Sequence, residues 1–311
     1  MLSKPAASAA AADGCVTFKA WLEAGVANAS LTYAYAQNVP FLADPLPARR
    51  CLAGPPAPST RILLLGDSIN RQVLQAGCGD VGGRAPSAPI WTEQFTYREG
   101  ASVSHVCELP LGEGSVAAFL HVYGAAANGP YYMGHGSQGH STPEAVEFCG
   151  DTAERIPEAL RQFTAKFGGP PTVVLFHSEV WDLMDTGLRI EKGLLARRDL
   201  GARLNAYVLD LRRVFAQLRA ALGPHALLGI HTVPLIMRDA DLYHGFSNAM
   251  RLFARTSDVF MLDWGRLVQP LTPEETQADK VHPNGPILQV FFRVLTQSIA
   301  QWEGLPTRPL R

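Results

Sequence analysis

Apolar residues in this chain fall into short unbroken runs separated by stretches with helical spacing. Ile62-Leu63-Leu64-Leu65 is such a run, the mark of a strand buried on both faces. Comparable runs lie in 115–123, in 171–176 at Val173-Val174-Leu175-Phe176, in 227–236 and in 259–262. Between them the period changes. Residues 69–76 are helix-compatible. In 154–167, Ile156, Leu160, Phe163 and Phe167 share one face, with Pro157 expected in the first turn. The cleanest helix is 203–222, where Leu204, Tyr207, Val208, Leu211, Phe215, Leu218 and Leu222 recur at the helical period. Residues 247–257 and 286–302 read as two more helices. Strands alternating with helices from residue 61 onward predict an α/β fold, with a mainly parallel sheet covered on both faces.

The rest of the chain lacks this rhythm. Residues 1–12 are Ala-rich without the apolar stretch of a secretory signal, and are expected to be a disordered leader. Residues 13–60 carry aromatics but little periodicity and end in a Pro-rich stretch. They read as a cap on a main domain of residues 61–303, which a tail of 304–311 follows. Residues 77–114 are expected to be loop with short strands, and 124–141 a Gly-rich surface loop.

Composition narrows the function classes. The chain has 311 residues, 47% apolar and 18% charged, enough for one large core. A formal net charge of −1 with no long basic run offers nothing to nucleic acid. No apolar run reaches the ~18 residues of a membrane span. The five cysteines, Cys15, Cys51, Cys78, Cys107 and Cys149, form no Cys-x-x-Cys, which argues against zinc and leaves both reduced thiols and one or two disulfides open. Asn28-Ala29-Ser30 is an acceptor sequon compatible with the secretory pathway (Golgi lumen or extracellular), which suits the chain if its N-terminus is incomplete. Nothing signals an oligomeric state or a cofactor.

Two segments carry chemistry. Gly66-Asp67-Ser68 follows the first buried strand and opens a helix. A serine there presents its hydroxyl at a strand-to-helix turn, and its N–H and the helix dipole both favour a developing oxyanion. Its hydroxyl still needs a base, and the base an orienting partner. Asp279-Lys280-Val281-His282-Pro283, just before the last helix, supplies both: the carboxylate at Asp279 can hold one nitrogen of His282 and leave the other for Ser68. Each segment alone is commonplace. Their order, with a buried strand before the first and an apolar helix after the second, makes them a candidate catalytic set.

These residues resemble the SGNH/GDSL hydrolase superfamily and, more narrowly, its PC-esterase branch, which includes the trichome-birefringence-like polysaccharide O-acetyltransferases. Gly66 to Gln72 followed by Cys78 is similar to that branch's Gly-Asp-Ser block and its downstream cysteine. Ser178-Glu179-Val180-Trp181-Asp182-Leu183 is similar to its Trp-Asp-Leu block. Asp263 and Asp279 to Asn284 are similar to its closing block. The resemblance spans roughly residues 61–297. It implies a flavodoxin-like three-layer α/β/α sandwich, with Ser68 as nucleophile, His282 as base and Asp279 as its orienter. It further implies an oxyanion site built from the Ser68 N–H, a glycine N–H, for which Gly124 is the candidate, and a side-chain donor. The superfamily's usual Asn is missing from 177–182, so Ser178 or Trp181 becomes the candidate donor, with Arg71 as a cationic alternative.

His135 and His140 read as loop histidines rather than metal ligands. His177 and His231, in or beside apolar strands, read as satisfied core residues, and Trp264 as a packing residue. Tyr131 and Tyr132 are candidate cleft residues. The expected activity is hydrolysis of O-acyl, chiefly O-acetyl, groups on a carbohydrate or related small ester. The alternatives are O-acyl transfer to a glycan hydroxyl by the same triad, and a non-catalytic glycan-binding protein on the same fold.

Overall fold

The structure is a computed structural model that describes residues 59–85, 106–126, 151–177, 179–232, 240–268, 278 and 282–303. Six strands form one sheet: β1 (Arg61–Gly66), β2 (Val106–Glu108), β3 (Val116–His121), β4 (Val173–Phe176), β5 (Leu227–His231) and β6 (Phe260–Leu262). Their order is β2-β3-β1-β4-β5-β6. Only the β2–β3 pairing is antiparallel. The five parallel strands therefore follow the flavodoxin-like order, as the sequence predicts, and the chain changes direction across the sheet between β1 and β4.

The apolar runs explain this placement. Alternate residues of β1 face opposite layers, so a strand buried on both sides needs both to be apolar. Ile62 and Leu64 join a core with α1 (Ser68–Asp80) and the last helix. Leu63 and Leu65 join the opposite core with α2 (Thr152–Phe167), α4 (Leu200–Leu222) and α5 (Ala240–Arg255). At ~25 cal/mol per Å² of apolar surface, these two cores are the main source of stability. The remaining helices are α3 (Glu179–Glu191), the short α6 (Trp264–Leu267) and α7 (Gly285–Glu303). Among the described residues no helix is long and apolar enough to cross a membrane.

Several boundaries differ from the sequence reading. Helix α2 starts two residues earlier than expected, because the Asp151 carboxylate accepts the Ala153 N–H at 2.9 Å and caps it. Pro157 consequently lies in the second turn rather than the first, where its ring removes one helical hydrogen bond. Helix α3 was not expected at all. Strand β5 ends at His231, and most of the remainder of 227–236 lies outside the described residues, as do the leader, nearly all of 13–60 and most of 124–141.

Four contacts bind α1 into place. Asp67 caps its start, the side chain accepting the Ile69 N–H at 2.9 Å. Cys78 is disulfide-bonded to Cys107 on the edge strand β2. Helix α7 lies so close that a Cβ on Gly77 would stand 2.3 Å from the Phe292 Cβ, and Arg293 grips Asp80 with two hydrogen bonds of 2.8 and 2.6 Å. Cys15, Cys51 and Cys149 lie outside the described residues.

Candidate active site

Ser68 is the first residue of α1, directly beyond the carboxyl end of β1 and beside the change of direction between β1 and β4. Ligands in open α/β sheets bind in that crevice. As the opening residue of a helix, Ser68 has no intrahelical acceptor for its N–H, so that donor faces the helix N-terminus and the site.

His282 reaches the same point from the other end of the chain. Its Nε2 lies 3.0 Å from Ser68 Oγ. The route is local. The Asn284 side chain accepts the Ile287 N–H at 3.1 Å and caps α7, which places His282 at the mouth of that helix. The His282 carbonyl also accepts the Ala278 N–H at 2.9 Å. Because α7 is packed on α1, the helix that begins at Ser68 and the helix that follows His282 form one unit.

A second side of the crevice comes from β3. The Val122 N–H donates to the Gly66 carbonyl at 2.7 Å, so the chain leaving β3 runs alongside the Ser68 turn. It reaches Gly124, which sits at φ +84°, in the left-handed region that suits glycine. Both flanks of this residue are held. Its carbonyl accepts the Thr152 hydroxyl at 2.8 Å, and the following N–H, from Ala125, donates to Asp182 Oδ2 at 2.8 Å. Asp182 is fully buried on α3 and pairs with Arg203 of α4 at 3.4 Å. Trp181, its neighbour, meets Tyr123 edge-on at 5.0 Å, and Tyr123 stacks on His121 at 4.3 Å. Partly exposed Trp181 thus closes an aromatic wall across the ends of β3 and β4.

Beneath Ser68 lies a third group of residues. Asp67 Oδ2 is 3.2 Å from His177 Nδ1. The His177 ring stacks on His231 with centroids 4.3 Å apart, and His231 Nε2 is 2.6 Å from Asn70 Oδ1. All four side chains are completely buried. Burial by itself would raise the Asp67 carboxyl, but the His177 imidazole beside it and the Ile69 N–H outweigh that and hold it below the usual carboxylate range. Burial, and then the neighbouring His177, push His231 well below an ordinary histidine, so its ring is neutral.

Ser68 and His282 lie side by side, 3.0 Å apart at Oγ and Nε2. Gly124 and Trp181 stand at the same end of the sheet. Asp279 and Ser178 lie outside the described residues, as do His135, His140, Tyr131 and Tyr132. Arg71 is half-buried, and its side chain makes no hydrogen bond or ion pair with any described residue. Trp264 is buried and stacked on Phe291 at 4.2 Å, a core residue as expected. The roles of Asp182 and Arg203 at the Gly124 turn were missed. The carboxylate one residue after Trp181 is plain in the sequence, but its burial is not, and its partner lies 21 residues away with nothing local to connect them.

Fold and site together define a class: a doubly wound α/β sandwich with a serine–histidine pair at the carboxyl end of its first strand. No family model matches the chain, and no curated protein matches it significantly. Among solved structures, the chain is similar to the lipase Lip_vut3 from a goat rumen metagenome, at 13% identity over 77% of this chain and 97% of that one, with a TM-score of 0.43. It is also similar to a putative SGNH hydrolase from Slackia heliotrinireducens, at 13% identity over 78% and 99%, TM-score 0.41. The third, LAE5, an alpha/beta hydrolase enzyme from the metagenome of Lake Arreo in Spain, has 15% identity over 79% and 98%, TM-score 0.42.

Proposed function

We propose that this protein is a serine-dependent acyl-ester hydrolase of the SGNH/GDSL type. The observation that carries the reading is the 3.0 Å separation of Ser68 Oγ and His282 Nε2, within reach for direct proton transfer. In the first half-reaction Ser68 Oγ attacks the ester carbonyl carbon while its proton passes to His282 Nε2. Negative charge gathers on the former carbonyl oxygen, where the Ser68 N–H and the Gly124 N–H are the proposed donors. His282 then protonates the departing alcohol oxygen as the C–O bond breaks, leaving an acyl-serine. In the second half-reaction water attacks that acyl carbon and gives its proton to His282, which returns it to Ser68 Oγ as the acyl C–Oγ bond breaks, so that the carboxylic acid leaves and the serine is restored. Asp279 is proposed to hold the other imidazole nitrogen.

Within that class, the PC-esterase-like blocks around Ser68, Trp181 and Asp279–Asn284 favour an O-acetyl group on a carbohydrate. Trp181, presented edge-on by Tyr123, is the proposed platform for a sugar ring.

A fluorophosphonate probe tests the reaction. Covalent labelling of the wild type that disappears in Ser68→Ala supports it. An unlabelled wild type, or a Ser68→Ala variant that still cleaves the same ester, overturns it. Incubation with an acetylated glycan, with and without a hydroxyl acceptor, separates hydrolysis from transfer: free acetate in both tubes supports the hydrolase, and acetate recovered mainly on the acceptor replaces it with a transferase.

A further inference from the structure

The buried group beneath Ser68 takes no part in the proton transfers above, yet it grips the nucleophile on both sides. Asp67 precedes Ser68 and Asn70 follows it by two residues. Asp67 uses one carboxylate oxygen to cap the Ile69 N–H and turns the other toward His177 Nδ1, 3.2 Å away. Asn70 faces His231. The two imidazoles come from the ends of the next two strands, His177 immediately after β4 and His231 closing β5. They are stacked with an interplanar angle of 12°. His177 is also tied to β1 through its backbone, its N–H donating to the Leu65 carbonyl at 2.9 Å. Its carbonyl approaches Gly66 so closely that a Cβ there would stand 2.7 Å away.

Such a cluster is costly for a core. A fully buried carboxylate needs a charged or donating partner, and apolar residues of the same volume would pack without that penalty. The cost is understandable if the position of Asp67 matters to what Ser68 does. We propose that His177 is a positioning residue for the nucleophile: its Nδ1, 3.2 Å from Asp67 Oδ2, is the polar partner that fixes the carboxylate capping α1, and so holds Ser68 Oγ at hydrogen-bonding distance from His282. The proposal deepens the esterase reading and rests on it for the identity of Ser68. The titratable groups facing His177 are Asp67 from the Ser68 turn and His231 from β5, with His121 at the end of β3 acting on the same carboxylate.

The test compares two substitutions. His177→Asn keeps a side-chain N–H near the Nδ1 position. His177→Phe keeps a ring to stack on His231 and loses the polar partner. Displacing a reacting group by about 1 Å costs on the order of 100-fold, so His177→Phe is expected to lose ~100-fold in kcat with KM changed less than about threefold, and His177→Asn to stay within ~10-fold of wild type. Hydrogen exchange of the Ile69 amide should accelerate in His177→Phe and not in His177→Asn. Wild-type kcat in His177→Phe, or equal losses in both variants, overturns the proposal.

Should His177→Phe fail to fold, the double variant with Asp67→Asn removes the buried charge and keeps the cap. It is expected to fold with kcat still low, and wild-type kcat there overturns the proposal. If the wild type is never labelled at Ser68, the esterase reading fails while the Ile69 amide still decides the anchoring. Unchanged exchange in His177→Phe would sink it.

Discussion

The Asp182 carboxylate accepts the Ala125 N–H at 2.8 Å, and through this bond the helix after β4 holds the turn after β3. A Cβ on Gly124 would stand 3.1 Å from the same carboxylate, on a backbone at φ +84°. Gly124→Ala is therefore expected to lose about 1–3 kcal/mol from left-handed strain. If the Gly124 N–H serves the oxyanion, kcat should fall ~100-fold or more with little change in KM. Asp182→Ala leaves the buried Ala125 N–H without its acceptor and should lower stability by about 1–3 kcal/mol. Denaturant titrations and steady-state kinetics on the two variants check both statements.

Two glycines in α1 should respond in opposite directions. Gly77 has the Phe292 side chain where its Cβ would be, whereas Gly79 has nothing within 4 Å. Gly77→Val is expected to force α7 away from α1 at about 1–3 kcal/mol. Because His282 sits at the start of α7, kcat should drop with it. Gly79→Ala should gain up to ~1 kcal/mol in thermal or chemical denaturation by helix propensity alone, with kcat unchanged. A gain in stability from Gly77→Val would contradict the packing of these two helices.

The Cys78–Cys107 bridge joins residues separated by 29 positions and ties the far end of the nucleophile's helix to the sheet edge. A loop of that size corresponds to roughly 3–4 kcal/mol in the chain-entropy account. The Cys78→Ala/Cys107→Ala double variant, and the wild type under reducing agent, should both lose about that much in denaturant titrations. Disulfides persist in oxidising compartments. Thiol counting on protein purified from its native source should therefore find these two cysteines unreactive.

Acid should destabilise the fold in a window set partly by His231. Its folded pKa is pushed well below the ordinary histidine value of about 6.5, by burial first. Between those two pKa values the unfolded chain binds a proton that the folded chain refuses, so stability is full above about pH 6.5 and falls as pH drops below it. One such proton corresponds to a slope of about 1.4 kcal/mol per pH unit. His231→Gln should flatten the stability profile below pH 6.5 by close to that slope. An unchanged profile would place the acid sensitivity elsewhere. Asp67 acts lower down: its depressed pKa contributes stability that is present above the ordinary aspartate value and is lost as pH falls through the folded one.

Local pattern was enough for much of this protein. Ile62–Leu65 and Val173–Phe176 could only be strands buried on both faces, and the Leu204–Leu222 stripe could only be a helix covering them. A strand-to-helix turn with serine at its apex follows from Gly66 to Ile69 alone, and a histidine poised before the last helix from the stretch His282 to Trp302. Those features are local because strand burial, helical period and capping act over a few residues. Helix α3 escaped notice because Glu179, Asp182 and Asp185 look exposed in sequence, yet their side chains are buried. Glu179 receives the Ser247 hydroxyl at 2.6 Å from 68 positions away, and Asp182 the Arg203 guanidinium from 21 positions away. Partners that far apart are chosen only when helices pack. The same holds for the grip of His177 on Asp67 and of Asp182 on the Gly124 turn. Burial of a charge becomes acceptable only when another segment supplies its counterpart, and which segment does so is a property of the folded sheet order, not of any stretch of chain.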